Sequence, residues 1–146
     1  MNENPEIADT AAFTDALRLT LRPLLRGLLA DRVIPLGQLG VLQQLSVHDS
    51  TTAKELAVAE RVSPQSMTVL VRELREKGLV AATPDNSDGR KVRLSITVAG
   101  KNQLDSERTR SSGWLNKAVA AQLSAAEIET IKAALPALKK LGKVRD

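Results

Sequence analysis

TAKELAVAERVSPQSMTVLVRELREKGLVAATPDNSDGRKVRLSI, residues 52–96, is the stretch on which the fold turns. Thr52-Ala53-Lys54-Glu55 has the form of a capping box, in which a hydroxyl and a glutamate three residues on satisfy each other's backbone N–H groups. It predicts a short helix with Leu56 and Ala57 inward, followed by a turn over residues 59–62. Ser63-Pro64 predicts the next helix start: an N-cap hydroxyl, then Pro at the first helical position, where its missing N–H costs nothing. Met67, Leu70, Val71 and Leu74 mark the buried face of that helix. Gly78 stands where helices commonly end on Gly. The period then changes. Residues 79–83 and 92–96 predict two short strands. The turn formers from Pro84 to Lys91 join them into a β-hairpin with a charged tip.

Upstream, residues 11–30 predict a helix with Phe13, Leu17, Leu21, Leu24 and Leu28 on one stripe and Arg18, Arg22 and Arg26 on another. Pro23 predicts a kink there. After a connector over residues 31–35, residues 36–47 predict a second helix with Leu39, Leu42 and Leu45 inward. Downstream, a long helix is expected from about Thr97 through about Gln122, with Leu104, Leu115, Ala118 and Val119 as contact candidates and Ser111-Ser112-Gly113 weakening its middle. Ser124-Ala125-Ala126-Glu127 is a second capping box. It opens a last helix carrying Ile128, Ile131, Leu135, Leu138 and Leu141, which Pro136 is expected to bend.

The 146 residues suit one domain with an appended helical element, and 42% hydrophobic content supplies a core. Aromatics are 1% of the chain, Phe13 and Trp114 alone, so that core must be aliphatic. Cys is absent and His48 is the sole histidine, which excludes disulfides, thiolate chemistry and a His-rich zinc site. No cofactor or metal is expected. No apolar run is long enough for a membrane helix. The polar, acidic opening is unlike a secretory signal, so a cytoplasmic protein is expected. Net charge is +4, and residues 61–93 hold seven basic side chains against four acidic ones, most of the excess.

The expected architecture is therefore mainly α with a small β-hairpin: a winged helix-turn-helix over residues 36–97, with a helical dimerisation region from residues 1–35 and 98–146. A helix can enter the DNA major groove, where base edges are distinguishable. With Met67, Leu70, Val71 and Leu74 buried, the opposite face offers Gln65, Ser66, Thr68, Val69, Arg72 and Arg75. Gln and Arg can pair bidentately with A and G, and Thr or Val can touch a thymine methyl. Ser63 and the helix N-terminus can meet a phosphate. By default an arginine on a helix surface is merely solvated, and helix pairs occur in any bundle. The specific signal is the order: helix, turn, capped helix, basic hairpin.

The chain also resembles the MarR family of bacterial regulators, most closely over residues 56–100. The resemblance lies in ELA at residues 55–57, VSPQSMTVLVRELREKGLV at residues 62–80, DGR at residues 88–90 and the closing Ile96-Thr97-Val98-Ala99-Gly100. It implies an obligate homodimer on an inverted-repeat, double-stranded operator, usually repressing genes and releasing DNA when a small molecule binds. It implies that Arg90 enters the minor groove beside Lys91, and that Asp88 orients the wing by pairing with an Arg. Two departures stand out. Ala82 replaces the family's common Arg at the end of the first wing strand, and Val69 replaces an Arg carried by many members.

Other readings compete with this one. Asp85-Asn86-Ser87-Asp88-Gly89 superficially matches a calcium loop, but it lacks the alternating ligands and closing Glu. His48 reads as a helix-end or solvent-exposed residue, and Trp114 as packing in the helical region. Lys139, Lys140, Lys143 and Arg145 form a basic tail that suits a helix C-terminus. An enzyme fits badly, since neither a phosphate loop nor a paired-carboxylate motif accompanies the lone histidine. A winged helix that binds only proteins is the alternative, against which the basic tip argues.

Overall fold

The computed structural model describes residues 5–143. Glu3 and Arg145, with the outer ends of the expected dimerisation segments, lie outside them. The order is α1 (Pro5–Leu29), α2 (Leu36–Val47), α3 (Ala53–Glu60), α4 (Pro64–Glu76), β1 (Val80–Pro84), β2 (Val92–Ile96), α5 (Val98–Gln122) and α6 (Ala125–Lys143). α1 begins six residues before its expected start at Ala11 and runs unbroken through Pro23. α5 and α6 likewise continue through Ser111-Ser112-Gly113 and Pro136. The chain divides into two compact units: Asp31–Arg110, and the segment up to Ala30 with the segment from Ser111 onward.

The first unit is a winged helix-turn-helix. Its core is aliphatic, as the scarcity of aromatics requires: Val41, Leu42, Leu45, Leu56, Met67, Leu74, Leu94 and Leu104 are almost wholly buried. Thr52 and Glu55 form the capping box of α3 in full, with Glu55 N–H on Thr52 Oγ1 (3.2 Å) and Thr52 N–H on Glu55 Oε2 (2.8 Å). α3 ends on Arg61 at φ 54°, the one non-glycine residue with positive φ among those described. Its N–H and that of Val62 return to carbonyls at the end of α3, so the tight turn between α3 and α4 is built by backbone in a conformation L side chains resist. Gly78 ends α4 at φ 73°.

Close approach explains three other glycines. A Cβ on Gly37 would press on Leu70 (3.1 Å), one on Gly40 would overlap the Glu60 carboxylate, and one on Gly100 would overlap the Leu79 carbonyl. Thr97 completes that last junction. Its hydroxyl donates to Gly78 O (2.7 Å) and accepts from Gly100 N–H (3.0 Å), and its own N–H donates to Leu79 O (3.1 Å). The first turn of α5 is thereby locked to the chain leaving α4. The buried carboxylate of Glu107 further along α5 accepts from Val33 N–H (2.9 Å), Gln103 (3.1 Å) and Arg110 (3.2 Å).

In the second unit, Ser124 and Glu127 form the expected capping box. These bonds hold the Glu127 carboxyl below its ordinary pKa, the backbone bond being the larger cause. Gly27 lies against the Trp114 ring, with no room for a Cβ. Leu24, Trp114, Leu115, Val119, Ile128 and Ile131 are among the residues lining an apolar groove of about 500 Å³. No residue of α6 is buried, and Phe13, Leu19, Leu25, Ile131, Leu135 and Leu141 are all exposed.

Candidate nucleic-acid interface

α4 starts where the sequence predicts. Ser63 caps it, accepting Ser66 N–H (3.1 Å) and donating its own hydroxyl to Ser66 Oγ (2.9 Å), and Pro64 takes the first position. The Ser66 hydroxyl proton is left to donate outward. Met67, Val71 and Leu74 are buried and Leu70 half-buried, so Gln65, Ser66, Thr68, Val69, Arg72 and Arg75 all stand on the exposed side. Thr68 donates its hydroxyl back to Pro64 O (2.9 Å), leaving only lone pairs and the methyl to face outward.

A second device fixes the roll of α4 about its axis. Gln38 on α2 is 1% exposed. Its amide donates to Glu73 Oε2 (2.7 Å), and its carbonyl oxygen accepts from Lys77 Nζ (2.7 Å). Buried amides require such partners, and here both lie on or just beyond α4. Sequence reading missed Gln38. The available signal was one polar residue on the otherwise apolar, glycine-containing face of α2.

The wing is antiparallel, with Val80 opposite Ile96 and Pro84 opposite Val92, one residue later at its start and end than the strand expected over residues 79–83. Thr51 adds a bridge to its far edge, exchanging both backbone bonds with Leu94 (3.1 and 2.7 Å). The tip closes on itself. Asp85 N–H donates to Lys91 O (2.9 Å), Asp85 Oδ1 accepts from Ser87 N–H and Oγ (both 2.9 Å), and Asp88 Oδ1 accepts from Arg90 N–H (3.0 Å).

This corrects one expectation. Among the described residues Asp88 forms no ion pair with a guanidinium, and its Oδ1 instead holds the backbone N–H of Arg90. The carboxylate that takes an arginine is Asp85, whose Oδ2 accepts from Arg93 Nε at 3.0 Å, while Arg93 Nη1 lies 3.9 Å from Glu55 Oε2. The hydrogen bonds of Ser87, then of Arg93, hold the Asp85 carboxyl down to about 2. Those of Thr51 and Thr52 hold Glu55 to about 2, Arg93 adding a smaller pull. Two acids thus remain charged far into the acid range. Asp85 and Asp88 are thus engaged in turn bonds, and Asp85 also in an ion pair.

Among the described residues, Arg72, Arg75, Arg90 and Lys91 form no ion pair. Arg72 and Arg75 line a groove of about 690 Å³ together with Thr68, Val80, Ala82 and Val92. The cations of α4 and the wing strands therefore share one concavity, with Ala82 in its lining. His48 merely follows α2, exposed, with its N–H on Gln44 O (3.0 Å).

Comparison with known proteins agrees with this architecture. Residues 34–92 match the model of the MarR family. An uncharacterised HTH-type transcriptional regulator of Mycobacterium bovis is 33% identical over 87 residues, 60% of this chain and 61% of that protein. The HTH-type transcriptional repressor MdtR of Bacillus subtilis is 29% identical over 94 residues, 64% of this chain and 61% of that protein. These alignments thus cover less than two thirds of either relative. A putative transcriptional regulator of Pseudomonas aeruginosa superposes with a TM-score of 0.82 at 28% identity, covering 98% of this chain and 100% of that one. The family's model thus falls on the helix-turn-helix and the first part of the wing, and the fold of a transcriptional regulator extends along nearly the whole chain, so residues 34–92 carry the MarR-family match.

Proposed function

We propose that the chain is a sequence-specific, DNA-binding transcription regulator, acting as a homodimeric repressor that a small ligand releases. The observation that carries this reading is the set of four cations without ion-pair partners among the described residues, two on the exposed face of a capped helix and two at the tip of the adjoining wing. Unpaired guanidiniums and ammoniums gathered this way suit phosphates and base edges. Repression is the reading favoured by the naming of MdtR as a repressor.

Dimerisation is supported by the second unit, whose α6 buries none of its residues within one chain and which leaves Phe13, Leu19, Leu25, Ile131, Leu135 and Leu141 exposed, apolar surface of the kind that marks interaction sites. The segments 1–35 and 98–146 are the proposed dimerisation region. Two α4 helices related by a twofold axis would read half-sites about 10 base pairs apart. Any inducer acts without thiol chemistry, the chain having no Cys, and must bind the DNA-incompetent state more tightly than the competent one.

The test is a binding titration with DNA from upstream of the protein's own gene, against a random duplex, with light scattering on the same sample. Preferential binding by a species of dimer mass is expected. A folded monomer, or equal affinity for both duplexes, refutes the reading.

A further inference from the structure

Two acids, one in the tip loop and one on α3, converge on one guanidinium near the tip end of the wing's ladder. Arg93 stands opposite Thr83 in the ladder. It reaches Asp85 at 3.0 Å and Glu55 at 3.9 Å. Each acid is itself tied down. Asp85 holds Ser87 in the tip turn. Glu55 caps α3 and accepts from Thr51 Oγ1 (2.7 Å), and Thr51 is bonded through its backbone to Leu94, the next residue after Arg93. The Asp85 side chain is only 10% exposed and that of Arg93 35%, so their pair is partly withdrawn from water, where a charge-assisted bond holds better than at an open surface. On the other strand, Ala81 and Ala82 are too short to brace anything.

We propose that Arg93 is a positioning residue for DNA binding, holding the tip turn against the start of α3 and so setting where Arg90 and Lys91 stand relative to the recognition helix. The proposal rests on the DNA-binding reading and deepens it. Arg93 is not itself a DNA contact, because its guanidinium is already committed to two carboxylates. A planar fork can meet two acids from two directions, whereas a lysine ammonium at the end of a flexible stem serves both poorly.

The test uses the full chain carrying Arg93→Gln or Arg93→Lys, each alone and combined with Arg90→Ala, titrated with a random-sequence DNA duplex at low salt. Amide hydrogen exchange is measured on the same proteins without DNA. Arg93→Gln is expected to weaken binding about five- to tenfold in the parent and less than about twofold when Arg90 is already Ala, as coupled residues do. Arg93→Lys should fall between Arg93→Gln and the parent. Exchange at Asp85 and Ser87 should quicken in Arg93→Gln while α4 keeps its protection. Equal loss in both backgrounds would make Arg93 a DNA contact and overturn the proposal. So would unchanged binding, unchanged exchange at the tip, or faster exchange spread evenly over α3 and α4. If the parent binds no DNA, the functional reading falls, and the exchange comparison still decides whether Arg93 holds the tip.

Discussion

Replacing Arg90 by Ala should change how salt weakens DNA binding, by an amount the structure sets. Each chain offers Arg72, Arg75, Arg90 and Lys91 on α4 and the wing without an ion-pair partner among the described residues, so a dimer brings eight such cations to the proposed interface. Each phosphate neutralised contributes about 0.9 to the slope of log affinity against log salt, giving a slope of about −7 if all eight meet phosphates. A fourfold rise in salt then costs about four decades of affinity. Arg90→Ala removes two cations per dimer and should flatten the slope by about 1.8. If Arg72 faces a base instead, the parent slope is shallower by the same amount, but the Arg90 difference is unchanged. The assay is fluorescence anisotropy over a potassium chloride series, with operator and random duplexes in parallel. Because minor-groove readout is degenerate, Arg90→Ala should weaken both duplexes alike, whereas Arg72→Ala should narrow the gap between them by about 1–3 kcal/mol. A parent slope shallower than about −2, or a slope untouched by Arg90→Ala, refutes the assignment of these cations to the DNA backbone.

Gly100→Ala should destabilise the fold by about 2–3 kcal/mol, because its methyl meets the Leu79 carbonyl and backbone yields less readily than a side chain; the urea midpoint reads this, and an unchanged midpoint contradicts it. Arg61→Gly should stabilise by about 0.5–1 kcal/mol, relief of about 1–2 kcal/mol of left-handed strain being offset by the entropy glycine adds to the unfolded chain; a urea midpoint lowered by the change would contradict this. Glu55 and Asp85 are held near 2 against ordinary values of 4.5 and 3.8. A depressed folded pKa stabilises fully above the unfolded value and is lost as pH falls through the folded one. Stability should therefore hold down to about pH 4.5 and decline from there toward pH 2. The double variant Glu55→Gln, Asp85→Asn should show a flatter acid limb in thermal melts, and a limb identical to the parent's would mean that other carboxylates set the acid sensitivity.

What the sequence made legible was local chemistry. Each capping box, the Ser63-Pro64 start and the Gly78 stop is written within a span of at most four residues, and each places a helix end to within a residue or two. The exposed side of α4 followed at once, because burying Met67, Val71 and Leu74 leaves its complement. Pro23 and Pro136 both lie inside continuous helices, α1 and α6. The wing brace was illegible for a different reason. Asp85 and Asp88 are both acids in one polar loop, and which of them meets Arg93 depends on the ladder register that sets Thr83 opposite Arg93. Gln38 and the α2 glycines belong to contacts with residues distant in the chain, and periodicity within one helix does not encode them.

The self-closed tip carries a thermodynamic consequence. Ordering a free loop of the length Asp85–Lys91 on DNA would forfeit about 1–2 kcal/mol of backbone entropy per residue, on the order of 10 kcal/mol in all, comparable to an entire micromolar binding energy. In this wing the turn is already built by Asp85, Ser87 and Asp88, so association need only still the side chains of Arg90 and Lys91, at about 0.5–1.5 kcal/mol each. The wing should therefore bind without the excess negative heat-capacity change that marks folding coupled to binding.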